Sequence, residues 1–211
     1  MMTKKYIIIH DEKKVVGINT VHRIKRISDG LIGGWIENEK NLSHYGDCFV
    51  YDNACVMNKA SVRDDAEVSG SAIVCGNSSV SQTALVTDNA RILGNTMIFE
   101  NGIAKGKVWI NGDVKIFGNA KISGESQICG AVWISDWAKI GDESCVMDNV
   151  KVFGSVQIMG FSFVHGKALI YGNRIIKDKF LGSSSEIIID DETQNNDWCN
   201  NFDKSVTKKA I

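Results

Sequence analysis

The 211-residue sequence predicts an all-β fold: a parallel β-helix, in which short strands wind into a stacked triangular prism. Three observations predict it. From residue 48 to 179 the chain repeats in sixes with no insertion (CFVYDN, ACVMNK, ASVRDD, AEVSGS, AIVCGN and onward to RIIKDK), 22 units over 132 residues. The third position of each unit runs Val50, Val56, Val62, Val68, Val74 and on to Ile176, and only Ala104 departs from Val or Ile. The composition holds 20 glycines and 0 prolines, which suggests one turn used many times, because irregular loops recruit both residues.

Each element of the unit has a physical reason. The first position is small (Ala54, Ala60, Ala66, Ala72, Ser78, Ala84, Ala90), so positions one and three point inward. β-Branched residues suit the strand, and the Gly, Asp or Asn common at the fifth position supplies a tight corner. Strands this short bury no apolar face alone, so successive coils must stack. A helical bundle would show a period of 3.6 or 3.5, and ordinary hairpins would vary in turn length. Three units per coil give about seven coils and a prism about 35 Å long. The segments are an N-terminal β cap (1–47), the repeat (48–179) and a C-terminal tail (180–211).

In the cap, residues 4–10 and 14–19 read as a hairpin around Asp11-Glu12-Lys13, and 20–28 as a further strand. Leu31-Ile32-Gly33-Gly34-Trp35-Ile36-Glu37 follows, then Asn41-Leu42-Ser43 and Gly46-Asp47. A cap is needed because a first coil exposes unpaired strand edges. In the tail, Phe180-Leu181-Gly182-Ser183-Ser184-Ser185 ends the repeat. Residues 191–209 carry a helical pattern with Trp198, Phe202 and Val206 on one face and lysines in the last turn, read as a packing or oligomer-locking element.

The repeat resembles the bacterial transferase hexapeptide repeat, whose fold is a left-handed parallel β-helix. The LIGGWIE…NLS…GD passage resembles the cap of YdcK-like hexapeptide proteins, common in bacterial and prophage sequences. Left-handedness is implied by this resemblance alone, since the general crossover rule favours a right-handed path. The resemblance also implies a homotrimer.

The 24 Lys and Arg against 25 Asp and Glu leave a net charge of −1, giving no field to draw in nucleic acid or an anionic membrane. No stretch approaches a membrane span, and the N-terminal apolar run is too short for a signal peptide. Six cysteines at irregular spacing, without CxxC, suit free thiols in a reducing compartment. The expectation is a cytoplasmic protein.

Sorting the units by threes yields three outer faces. The first, with Glu67, Ser69, Thr87, Lys105, Lys121, Ser123 and Lys139, is solvated. The second shows Cys55, Met57, Ile73, Cys75, Leu93, Trp109, Cys129, Cys145, Met147 and Phe163; the third shows Met97, Phe99, Phe117, Trp133, Phe153, Leu169 and Tyr171. Two faces this apolar call for cover, and one face meeting another on a neighbour closes a threefold ring.

Two polar windows interrupt the apolar faces. Arg91, Trp109 and Gln127 share one column, with Asn111 beside Trp109. Lys115, Trp133 and Lys151 share another, with Ser135 beside Trp133. A tryptophan flanked by cations can hold a planar anionic ligand by stacking and charge pairing, or the cation stems can simply cover the rings.

Enzymes of the resembled class are mostly coenzyme A-dependent acyltransferases with a histidine base. Of His10, His22, His44 and His165, only His165 lies on the prism, and no loop interrupts the coils to bind an acceptor. One prism histidine does not supply the three ligands of a zinc site, and Cys75 and Cys129 lie three coils, roughly 14 Å, apart. No metal is expected. Arg23, Lys25 and Arg26 form a small basic edge, read as solvated.

Two functions remain. One is a non-catalytic trimeric scaffold binding a partner or small anionic ligand in its subunit grooves, with no cofactor; the likeness to prophage relatives implies a version that sequesters a nucleotide signal against host defence. The other is an acyltransferase using acetyl-coenzyme A with His165 as base.

Overall fold

The computed structural model describes residues 4–189, with side chains to residue 182. The chain is a left-handed parallel β-helix of about eight coils. Residues 18 apart lie side by side on successive strands, as in Arg91↔Trp109, Met97↔Lys115 and Leu85↔Ile103. The third-position column, from Val50 through Ile92, Ile116 and Ile140 to Ile170, is fully buried. Where the first position is Ser or Thr instead of Ala, its hydroxyl donates to the carbonyl three residues earlier: Ser78 to Cys75 (2.8 Å), Thr96 to Leu93 (2.7 Å) and Ser126 to Ser123 (2.6 Å). A buried polar group is tolerated there because it is satisfied locally.

The corners explain the composition. Every fifth position from Asp52 to Asp178 has a positive φ, whether glycine or not. At the aspartates the side chain adds a second role: Asp52 accepts from the Gly70 amide, Asp88 from Gly106, Asp136 from Gly154 and Asp148 from Gly166, each one coil on, at 2.8–2.9 Å. The other amides are equally committed. In the coil starting at Ala54, that residue donates to the Tyr51 carbonyl, while Cys55, Met57 and Lys59 donate to the Ala72, Val74 and Gly76 carbonyls of the next coil. A proline would delete one of these donors.

The cap differs from expectation in its turn. β1 (Tyr6–Val16) and β2 (Asn19–Arg26) are antiparallel, with the turn at Gly17-Ile18 rather than at Asp11-Glu12-Lys13. Gly17 supplies φ +62°, whereas the charged trio is absorbed as a register irregularity between Ile9 and Lys13. Polarity suggested a turn, but positive φ decides where a tight one falls.

β3 (Ile32–Ile36) pairs antiparallel with β2 and parallel with the prism, Trp35↔Cys55 and Ile36↔Val56. Leu42 then bridges Val62, and Phe49 pairs with Glu67. Part of the expected cap is therefore the first coil, offset by 20 residues at Ile36 and Leu42 instead of 18. Gly33 and Gly34 permit this closure, since a Cβ on either would lie 2.6–2.7 Å from the Phe49 ring, the Ala54 carbonyl or a Val50 methyl. The buried Tyr6 hydroxyl fixes the cap to this coil, 2.9 Å from the Leu42 carbonyl and 3.1 Å from that of Glu39.

At the other end the hexad pattern stops but pairing does not. The strand Phe180–Ile189 runs parallel to Phe163–Ile170 across two faces. The helical pattern at 191–209 lies outside the described residues.

Candidate functional site

The coil register assembles both windows read from the sequence. Arg91, Trp109 and Gln127 oppose one another on three successive strands, and Asn111 opposes Cys129. Lys115, Trp133 and Lys151 do the same on the next face. Both indoles remain well exposed, at 40% for Trp109 and 42% for Trp133.

The two windows then diverge. Over Trp133, the Lys115 ammonium lies 4.4 Å and the Lys151 ammonium 5.2 Å from the ring centroid, one from the coil on either side. Among the described residues no cation sits over Trp109. Trp133 is therefore the centre of a preassembled cationic patch, whereas the Arg91 column shares a register without that contact. Beside Lys151, a shallow depression of about 180 Å³ is lined by Asn149, Lys167, Ala168 and Leu169. Lys167 and Asn149 sit at a corner, and the face-by-face reading of the sequence missed them.

Next to the cation column runs an aromatic one. Phe99 and Phe117 stack with centroids 5.0 Å apart and planes 4° from parallel, and Phe153 and Tyr171 do so at 5.3 Å and 5°. Ser135 occupies the rung between these two pairs. The signal was present in the sequence as Lys115-Ile116-Phe117, Trp133-Ile134-Ser135 and Lys151-Val152-Phe153, each 18 residues after the last.

A second tryptophan with cations over its ring, a cluster absent from the sequence reading, lies in the cap. Lys14 and Arg23 sit 4.5 and 4.3 Å from the Trp35 ring centroid. This cluster is structural: Arg23 also donates to the Gly33 and Asp52 carbonyls, and Arg26 pairs with Asp29 while lying over Phe49. Arg26 and the Leu31 amide hold the Asp29 carboxyl down to about 2. Two of the three cations of the basic edge are thus engaged in holding β2 to the first coil.

His165 lies on the second face with its ring 5.1 Å from both Phe163 and Phe180, over Gly182, where a Cβ would collide with the imidazole. Its Nδ1 is 3.7 Å from an Asp148 oxygen, beyond hydrogen-bond reach, and that oxygen already accepts from the Gly166 amide. The surroundings are those of a packed ring. Cys55, Cys75, Cys129 and Cys145 are free, and burial pushes each thiol up, away from the reactive thiolate. Among the described residues no three His, Cys, Asp or Glu gather as a metal site, and no helix is long and apolar enough to cross a membrane.

The first face is polar but not electrostatically relaxed. Lys121 and Lys139 are direct neighbours on adjacent strands, a like-charge pairing that costs stability. Lys105, then desolvation, then Lys139 lower the Lys121 pKa from the ordinary 10.5. The folded state therefore binds fewer protons than the unfolded one, and stability rises with pH in the window leading up to 10.5. Lys121→Gln is expected to raise the thermal midpoint at low ionic strength, with the gain shrinking in 1 M salt. A midpoint that falls, or a gain indifferent to salt, would contradict this.

No family model matches the chain, and no curated protein matches it in sequence.

Proposed function

We propose that this protein is a non-catalytic β-helix scaffold that assembles as a homotrimer and holds a small planar anionic ligand, of the nucleotide kind, in a subunit groove along its third face. The observation that carries the reading is Trp133 with an ammonium from each neighbouring coil. Two lysines held over one ring set their ammoniums beside an exposed aromatic surface, a combination suited to an anion that also carries a ring. Beyond Cys55 and Met57, which the chain's own cap buries, the apolar outer columns of the second and third faces support assembly, since patches of this kind are normally covered, and placing one face against another of a neighbouring copy closes a ring. Sequestration of a nucleotide signal is the biological form of this reading, consistent with the YdcK-like resemblance of the repeat and cap.

The test combines sedimentation with titration by the four ribonucleoside monophosphates, followed by calorimetry and tryptophan fluorescence. The reading expects a particle of three times the 23.2 kDa chain mass, and at least one nucleotide binding more tightly than inorganic phosphate. A monomer, or no nucleotide binding at millimolar concentration, would overturn the corresponding half.

A further inference from the structure

Lys115 and Lys151 lie over the Trp133 ring from the neighbouring coils, and the column beside it has one rung without an aromatic side chain, Ser135. We infer that the ring enters the missing rung at Ser135, between Phe117 and Phe153, while its anionic group is held by Lys115 and Lys151. This rests on the reading of the third face as an anion site and names where each half of the ligand goes.

The geometry favours one ring. Successive coils are spaced by about 4.8 Å, so Phe117 and Phe153, two coils apart, leave about 9.6 Å between ring centres. A planar group midway would stack at about 4.8 Å from each, close to the 5.0 and 5.3 Å at which the neighbouring rungs already stack. The column Phe99, Phe117, Ser135, Phe153, Tyr171 is thus a five-rung ladder with its central ring absent. The walls are preordered, because each is backed by a further stacked ring, and a preordered slot loses less entropy on binding.

Chemistry selects the occupant. The coil with Phe117 carries Lys115, the coil with Phe153 carries Lys151, and both ammoniums lie over the intervening Trp133 ring. A ring entering this slot therefore has both ammoniums along its Trp133 side. The class of ligand is a single planar or fused ring bearing a phosphate or comparable anion, and a nucleoside monophosphate is the natural probe.

Adenosine 5′-monophosphate is titrated into wild type, Ser135→Phe, Ser135→Ala, Phe153→Leu and the Lys115→Ala/Lys151→Ala pair, with sedimentation run on each. Ser135→Phe fills the slot and is expected to weaken binding tenfold or more, with the assembly unchanged. Ser135→Ala leaves the slot open and is expected to stay within about threefold of wild type. Phe153→Leu keeps apolar volume but removes a stacking wall, and is expected to weaken binding by about tenfold; it decides the matter should Ser135→Phe fail to fold. Wild-type affinity in Ser135→Phe or Phe153→Leu would overturn the slot, and loss in the lysine pair alone would leave the broader anion reading standing. Dissociation of the assembly by Ser135→Phe would show that a neighbouring copy's side chain fills the rung, overturning the proposal. Absence of wild-type binding would overturn slot and anion site together.

Discussion

Gly112→Val is expected to eliminate the folded prism. Gly112 has φ +118°, and a Cβ there would lie 2.5 Å from the Gly130 carbonyl oxygen and 2.8 Å from the Gly130 nitrogen. The obstacle is the backbone of the next coil, which has no flexible end to give way. Nor can Gly112 retreat, because its own carbonyl accepts from the Asn95 amide of the preceding coil at 2.9 Å. Strain at an unfavourable φ then adds to a clash that propagates in both directions, so the cost exceeds about 4 kcal/mol. Gly17→Ala is the control: its φ is +62°, but nothing lies within 4 Å of the added Cβ, leaving only the left-handed penalty of about 1–2 kcal/mol. Urea unfolding followed by circular dichroism checks both. A soluble Gly112→Val with a midpoint near wild type would refute the close-stacked corner.

Reversing the Trp133 window, with Lys115→Glu and Lys151→Glu together, is expected to reduce nucleotide affinity at least a hundredfold, or about 2.8 kcal/mol. The change removes two ammoniums and places two carboxylates where the ligand's anion must sit, so attraction becomes repulsion. The fold is expected to persist, since both side chains face outward from the prism. Lys105→Glu with Lys139→Glu makes the same charge change on the first face and is expected to leave affinity within about threefold. Calorimetry on the two pairs separates a local site from a general effect of net charge. Equal losses in both would locate the attraction in the overall field.

The prism was legible because its physics repeats. The third-position column, the small first position and the fifth-position corner each recur at a fixed interval, so one correct unit extends to all of them. The first coil escaped notice because Ile36 and Leu42 keep the six-residue step, but eight residues separate Leu42 from Val50. Periodicity detects the rule and passes over a coil with a longer corner. The hairpin turn was misplaced for a related reason: three consecutive charges look like a turn, whereas a single glycine with positive φ makes one.

The site was legible to the level of columns and no further. Register puts Arg91 beside Trp109 just as it puts Lys115 beside Trp133, yet cations lie over Trp133 alone among these two. That difference is a matter of side-chain torsions, which spacing does not encode. Ser135 was visible as a polar residue in an apolar column. Its role as an empty rung emerges only once Phe99–Phe117 and Phe153–Tyr171 are seen to stack.

The most direct test of the account is a crystal structure of the protein with adenosine 5′-monophosphate. The account predicts electron density for the base between the Phe117 and Phe153 rings, over Ser135, with the phosphate beside the Lys115 and Lys151 ammoniums. Density for the nucleotide at any other surface, with the Ser135 rung left open, would contradict it.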